Sequence, residues 1–252
     1  MKDYLRSIEI RYHDPKYIQT DPIKFVYRFQ SPYEIELIAF LVSLFAYGNV
    51  VAMMNFLELF LQFLGSNPTE RILSFKENTS FPYHYRFQTR KDIKTTILFI
   101  KELLERKDKF AFVNLWKYSN VDENIYDPID RFRKEVLSLI PKKYITDGIR
   151  HLFCLSEHMT VAKRYCLFFR WMVRRDFPDF GIYDFIPPKK LIFPLDIHIL
   201  NFSYQNRIIE NPFVSRKNAI AITKFFEKFS PEDPVKYDFY ITREILSKKF
   251  FK

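Results

Sequence analysis

The chain reads Val161-Ala-Lys-Arg-Tyr-Cys-Leu-Phe-Phe-Arg-Trp-Met-Val-Arg-Arg175 and, after a loop, Leu191-Ile-Phe-Pro-Leu-Asp-Ile-His-Ile199. The first stretch repeats apolar residues at helical spacing and also carries basic residues. It predicts a cationic amphipathic helix with Lys163 near its start. The second stretch is an apolar run that ends at Asp196, a residue type that caps helix N-termini. The sequence therefore predicts two adjoining helix starts, one offering a lysine and the other an aspartate.

The remainder of the chain also predicts helices. Ser31-Pro-Tyr-Glu34 combines a capping residue, a proline at the first helical position and an acidic residue in the first turn. Residues 35–45 are apolar nearly all round, which is typical of a buried helix that ends where Gly48 can turn left-handed. Thr160 can cap the helix that carries Lys163. No segment alternates with the period of a strand, so the predicted class is all-α, with helices interleaved into two lobes.

Composition favours a polyanionic partner. Forty Lys and Arg residues against thirty Asp and Glu residues give a formal net charge of +10, which favours nucleic acid. Two cysteines are too few for a disulfide scaffold, a four-cysteine zinc site or an iron–sulfur cluster, so no metal or other cofactor is predicted. No run of about 18 apolar residues is present, and we expect a soluble protein of the cytoplasm, without a membrane partner.

The paired helix starts suggest chemistry on DNA. The helix N-terminus and apolar surroundings disfavour the ammonium form of Lys163 and favour an amine that can act as a nucleophile. Asp196 can stabilise a developing sugar cation, and His198 can bind a phosphate together with backbone N–H groups. A surface lysine, a simple cap and a structural histidine are the alternatives. The basic face of the first helix is expected to contact DNA phosphates through Arg164, Arg170, Arg174 and Arg175.

The pattern Lys163…Pro194-Leu-Asp196-x-His198 in an all-α chain resembles the helix-hairpin-helix DNA glycosylase superfamily. In that superfamily a lysine follows the hairpin, and an aspartate of a D-x-H element caps a later helix. The separation of Lys163 and Asp196 is longer than in most members and is similar to that of the archaeal 8-oxoguanine DNA glycosylases. Lys236-Tyr-Asp-Phe239 resembles the element by which those enzymes read the flipped base, which assigns base binding to Asp238.

Three further points belong to this resemblance. The segment Leu37–Asn49 is similar to the core helix of the superfamily, whose end lies by the lesion pocket, and Asn49 is therefore a second expected base contact. The fold implied is a two-lobed glycosylase fold over residues 1–252, with a central cleft and the catalytic hairpin-to-aspartate segment at about 145–207. The chain departs from the superfamily at the hairpin, because Ser156-Glu-His-Met159 contains no glycine.

The whole chain also looks like a bacterial family known only as a domain of unknown function. The shared patterns are Ala46-Tyr-Gly48, Arg170-Trp-Met-Val173, Pro194-Leu-Asp196 and Asp233-Pro-Val-Lys-Tyr-Asp238.

The glycosylase resemblance implies a bifunctional DNA glycosylase and AP lyase that acts as a monomer on double-stranded DNA containing a damaged base. It flips an oxidised purine, 8-oxoguanine in the first instance, out of the duplex and excises it through a Schiff base on Lys163. Two alternatives remain open at this point. One is a monofunctional glycosylase for alkylated bases, and the other is a basic helical protein that binds nucleic acid without catalysis.

Overall fold

The structure, a computed structural model, describes residues 1–106, 112–155 and 161–250. These residues form helices and turns with no strand, which confirms the predicted all-α class. The α-helices are α1 (Lys2–Tyr12), α2 (Pro32–Phe45), α3 (Val50–Leu64), α4 (Pro68–Leu73), α5 (Arg90–Glu105), α6 (Val113–Trp116), α7 (Tyr126–Leu139), α8 (Asp147–Leu152), α9 (Lys163–Val173), α10 (Ile197–Gln205), α11 (Arg216–Glu227) and α12 (Asp238–Phe250). Short 3₁₀ helices span Pro15–Thr20, Pro22–Arg28, Lys142–Tyr144 and Pro188–Lys190.

The chain divides into two compact units. Unit 1 comprises Met1–Lys24, Glu123–Tyr126 and Met159–Lys252, so it joins the two ends of the chain and a short insert from its middle. Unit 2 comprises Phe25–Asp122 and Asp127–His158.

Helix α2 is the centre of unit 2. Every residue from Ile35 to Phe45 is buried, as its apolar sequence predicts. Phe40 stacks on Phe112 with ring centroids 4.0 Å apart and meets Phe132 edge-on at 5.7 Å. Aromatic pairs of this geometry stabilise a core beyond the area they bury, which accounts for part of the high phenylalanine content.

The turn between α2 and α3 differs from the prediction. Helix α2 ends at Phe45 with Ala46 as its C-cap, so Gly48 does not cap it. Gly48 does have a positive φ of 90°, but it lies in the turn that follows. A Cβ atom there would lie 2.4 Å from Nη1 of Arg86, so a larger residue would have to displace that side chain as well as adopt a strained backbone conformation.

Contacts between the first and last helices of unit 1 hold its two chain ends together. Tyr12 of α1 donates a hydrogen bond of 2.8 Å to Glu244 of α12, and Arg11 donates one of 2.9 Å to the same carboxylate. Arg243 of α12 pairs with Asp21 at 3.0 Å. Both Glu244 and Asp21 are buried, so the two chain ends form one packed interior.

Helix α9 lies inside unit 1, and its predicted amphipathic character is wrong. Every residue from Arg164 to Val173 is buried. Burial of the arginines is possible because buried carboxylates from other segments form ion pairs with them. Its N-cap position is Ala162, in the left-handed conformation with no side-chain cap. The predicted cap Thr160 and the predicted hairpin, residues 156–159, lie outside the described residues.

Candidate active site

The start of α9 is held by the insert that unit 1 takes from the middle of the chain. The Tyr126 hydroxyl donates a hydrogen bond of 3.1 Å to the carbonyl oxygen of Val161. One residue later, the backbone N–H of Tyr165 and that of Cys166 both donate to the carbonyl oxygen of Ala162. These bonds fix the first turn, and Lys163 is its first helical residue.

The start of α10 is fixed by Asp196, which confirms the predicted cap. Its Oδ1 accepts hydrogen bonds from the backbone N–H of His198 at 2.8 Å and from that of Ile199 at 2.9 Å. Two of the N–H groups that the helix leaves unpaired are thereby satisfied. The preceding segment is anchored as well, because the Phe193 N–H donates to the Thr223 hydroxyl at 3.1 Å.

The structure brings Lys163 and Asp196 together. Nζ of Lys163 lies 3.4 Å from Oδ2 of Asp196, with side chains 33% and 20% exposed. The two oxygens of Asp196 therefore have separate tasks, since Oδ1 caps α10 and Oδ2 faces the amine. The amine is partly exposed and lies beside a carboxylate that could accept its proton as a general base.

Asp238 is electrostatically coupled to this pair. It is the first residue of α12, it is buried, and its Oδ2 accepts a hydrogen bond from Nη1 of Arg170. Burial raises the pKa of Asp238 to about 6 against the opposing effect of Arg170. Smaller contributions come from the negative charge of Asp196, which raises the pKa of Asp238, and from the positive charge of Lys163, which lowers it.

The expected cationic face of α9 is instead a buried ion-pair network. Arg170 donates through Nε to Asp179 at 3.2 Å. Arg174 pairs with Asp179 through Nη1 and with Asp233 through Nε at 2.8 Å. Although burial lowers the pKa of Arg170, the charges of Asp179 and Asp238 outweigh it and raise that pKa above its ordinary value. Both guanidinium groups are at most 3% exposed, so the prediction that they form a face for DNA phosphates is wrong.

The other predicted site residues lie at different places. Arg164 is also buried, which removes it from an outer phosphate-binding face, whereas Arg175 is exposed. His198 is half-buried in the first turn of α10, beside the cap of Asp196. Asn49 belongs to unit 2, where it is exposed and its side chain caps α3 by accepting from the Ala52 N–H at 3.1 Å. Phosphate binding by His198 and base binding by Asn49 stay predictions.

Sequence reasoning missed two groups around the site. Tyr126, which orients the start of α9, carried no signal because its partner is a backbone carbonyl thirty-five residues away. A sequence signal for Asp179 did exist. Arg170 and Arg174 are one helical turn apart in an apolar helix, and buried arginines of this kind need carboxylates nearby. Asp179, five residues beyond Arg174, was the candidate to consider.

Over the described ranges, no three His, Cys, Asp or Glu side chains are grouped so that they could hold a metal ion. Within the same part of the chain, no helix combines the length and the apolar character needed to cross a membrane.

Residues 21–245 match the family described as "Protein of unknown function (DUF2400)". No curated protein and no solved structure matched the chain.

Proposed function

The chain belongs to the DUF2400 family, whose description states no activity, and we propose from the geometry of the site that it is a DNA glycosylase with AP lyase activity. The supporting observation is the 3.4 Å approach of the Lys163 amine to Asp196 at two helix starts, with both side chains partly open to solvent. A partly exposed ion pair contributes little to stability, commonly less than about 1 kcal/mol. The contact between Lys163 and Asp196 is therefore not needed for stability, and we assign it a role in the reaction.

In the proposed reaction the damaged nucleotide is flipped out of the duplex, and the Lys163 amine attacks C1′ of its sugar. The bond between C1′ and the base breaks, and its electron pair leaves with the base, which takes up a proton. Asp196 stabilises the positive charge that develops on the sugar and accepts the proton of the attacking amine. Opening of the sugar gives a Schiff base on Lys163, from which β-elimination releases the 3′ phosphate.

We further propose that Asp238 contacts the flipped base. Arg170 occupies Oδ2 of Asp238, and Oδ1 is the atom assigned to an N–H group of the purine. The electrostatic coupling of Asp238 to both Lys163 and Asp196 supports a position next to the reacting sugar. An oxidised purine, 8-oxoguanine in the first instance, is the proposed lesion, and Asn49 is included as a base contact on the resemblance alone.

The superfamily membership itself is part of the proposal. It rests on the spacing of Lys163, Asp196 and His198 and on the pairing of the first two. The arginines of α9 have no phosphate-binding role in it, because they are buried with carboxylates. The phosphate contacts are assigned to His198 and to exposed cations elsewhere on the chain.

Borohydride trapping tests the proposal. A duplex with a single 8-oxoguanine is incubated with protein and sodium borohydride, which reduces a Schiff base to a stable covalent amine. We expect an adduct with the wild type and none with Lys163→Gln. Lys189→Gln is the matched control, because Lys189 also faces a carboxylate in unit 1, at 3.8 Å from Glu232, but on the open surface. This control should form the adduct at the wild-type rate.

Other outcomes select the alternatives. Base release without an adduct would identify a monofunctional glycosylase, to be tested next on alkylated bases. Binding to DNA without release of any base, unchanged by Asp196→Asn, would identify a non-catalytic binding protein. An adduct that persists in Lys163→Gln would remove Lys163 from the reaction.

A further inference from the structure

Unit 2 carries a basic groove far in sequence from Lys163 and Asp196. The groove is open to solvent and has a volume of about 560 Å³. It is lined by His84, Arg86, Gln88, Thr89, Arg90 and Lys91. Three of these residues are cationic and none is acidic.

The cations of the groove have no acidic partners among the residues that the structure describes. Over the described parts of the chain, Arg86, Arg90 and Lys91 form no ion pair. The nearest acid in the sequence is Asp92, which is buried. Its carboxylate accepts from Thr89 in the capping box of α5 and from the Thr146 hydroxyl. The positive charge of the groove is therefore available to a ligand, in contrast to the neutralised arginines of α9.

The groove is built on a fixed turn. Backbone hydrogen bonds of 3.0 and 2.8 Å between Tyr85 and Gln88 close a two-residue turn with Arg86 and Phe87 at its tip. The Gln88 side chain ties this turn to α8 by donating to the Gly148 carbonyl oxygen at 3.0 Å. Arg86 has a positive φ of 51°, a conformation that costs a non-glycine residue about 1 kcal/mol and that recurs at functional sites.

An aromatic surface adjoins the cations. The guanidinium of Arg86 lies 5.3 Å from the ring centroid of Phe87 and 5.7 Å from that of Tyr47, and Gly48 leaves room for it. The ring of Phe87 is 57% exposed, and it contacts His151 of α8 at 4.9 Å. An exposed ring next to arginines offers a face on which a nucleobase can stack.

We propose that this groove binds DNA, with Arg86, Arg90 and Lys91 contacting backbone phosphates and Phe87 stacking on an unpaired base. The side chains carry the binding, because the capping box already uses the N-terminal N–H group of Asp92. The inference rests on the proposed function only in taking DNA as the polyanion. It adds a binding surface that the reaction at Lys163 does not require.

The test compares two triple variants of equal charge. Arg86→Gln/Arg90→Gln/Lys91→Gln removes the groove cations, and Lys76→Gln/Lys134→Gln/Lys142→Gln removes three exposed lysines of unit 2 that do not line the groove. Affinity for an undamaged duplex is measured by fluorescence anisotropy over a salt series. For the groove variant we expect at least ~10-fold weaker binding at low salt. The slope of log affinity against log salt concentration should decrease in magnitude by ~2–3, because each phosphate contact contributes about 0.9 to that slope.

An unchanged salt slope in the groove variant, or an equal change in the control, would overturn the proposal. If the triple variant unfolds, Arg90→Gln/Lys91→Gln leaves the packing of Arg86 intact and should change the slope in the same direction by ~2. Phe87→Ala should weaken binding of a single-stranded oligonucleotide by ~10-fold and that of the duplex by less. Equal losses on both would remove the stacking role.

The outcome is separable from that of the proposed function. Lys163→Gln should bind the undamaged duplex like the wild type. If no borohydride adduct forms but the groove variant loses affinity, the lyase fails and the groove stands. If the adduct forms and the groove variant binds normally, only the groove fails.

Discussion

The two ends of α9 hold their cations in opposite environments. Lys163 in the first turn is one-third exposed and faces a single carboxylate across 3.4 Å. Arg170 and Arg174 in the last turns are buried and share Asp179, which is 0% exposed. The same helix therefore has a partly exposed amine at one end and a buried ion-pair network at the other.

The contrast teaches that the number of cations on a helix does not predict its role. A buried arginine without its carboxylates would be very unfavourable, so the network is a requirement of the fold. A lysine that is one-third exposed has no such requirement for a partner carboxylate. The same reasoning separates the basic groove of unit 2, whose cations lack acidic partners over the described residues, from the arginines of α9.

The largest effect is expected at the buried end. Arg170→Met leaves Asp179 and Asp238 buried with fewer compensating charges and should lower the free energy of unfolding by about 3–5 kcal/mol. Arg175→Met, on an exposed residue at the same helix end, should change it by no more than about 0.5 kcal/mol. Urea denaturation monitored by circular dichroism measures both. Equal effects of the two substitutions would abolish the distinction between the two ends.

The exposed end should respond in activity instead. Asp196→Asn keeps a side chain that caps α10 but removes the charge beside Lys163. We expect stability within about 0.5 kcal/mol of the wild type and a single-turnover rate of base excision lowered by ~100-fold or more. Asp196→Ala, which removes the cap as well, should lose a further ~1 kcal/mol of stability. A rate unaffected by Asp196→Asn would show that the carboxylate has only a capping role.

Asp238 interacts with both ends of α9, through a hydrogen bond from Arg170 and through the charge of Lys163. Its protonation should make the stability of the protein depend on pH. Its folded-state pKa of about 6 lies above the ordinary value of an aspartate, so the folded state binds more protons between the two values. The stability of the wild type relative to Asp238→Asn should therefore fall as pH rises from about 4 to about 6, and level off above. Denaturation midpoints at closely spaced pH values measure this difference. A difference that rises with pH would contradict the assigned direction.

The smallest expected effect is that of the Lys163 charge, at the exposed end of α9, on the pKa of the buried Asp238. Because the charge of Lys163 lowers the pKa of Asp238, Lys163→Gln should raise that pKa above about 6. Carbon-detected NMR titration of the Asp238 carboxyl measures it. Lys189→Gln, on the open surface of the same unit, should leave it unchanged. If neither substitution moves it, Lys163 and Asp238 are not neighbours in solution.

The sequence predicts those parts of the fold that depend on local chemistry. The uniform apolar character of residues 35–45 predicts a buried helix, and an aspartate after an apolar run predicts the cap at Asp196. Ser31 shows the limit of such rules, because it occupies the N-cap position of α2 without making the side-chain hydrogen bond. Local patterns thus identify the residue at which a helix begins more reliably than the side chain that accepts hydrogen bonds from its first N–H groups.

The parts that could not be predicted depend on partners distant in the chain. Helical periodicity shows that Arg170 and Arg174 share a face. It does not show that this face meets Asp238 at the start of α12 and Asp233 in the turn before it. The two helix patterns predict that the starts carrying Lys163 and Asp196 adjoin, but they do not give the 3.4 Å approach of the two side chains. Long-range pairing is set by packing, which a single sequence does not display.

The division of the chain into units has a consequence for the order of folding during synthesis. Unit 2 is complete once residue 158 has been made, whereas unit 1 needs α12 to close on α1 through Glu244. Contacts between distant parts of a chain form slowly, and domains fold from the N-terminal side as they leave the ribosome. Lys163 is thus synthesised well before Asp238 takes its place at the head of α12. A nascent or truncated chain can display a folded basic groove while its candidate active site has yet to assemble.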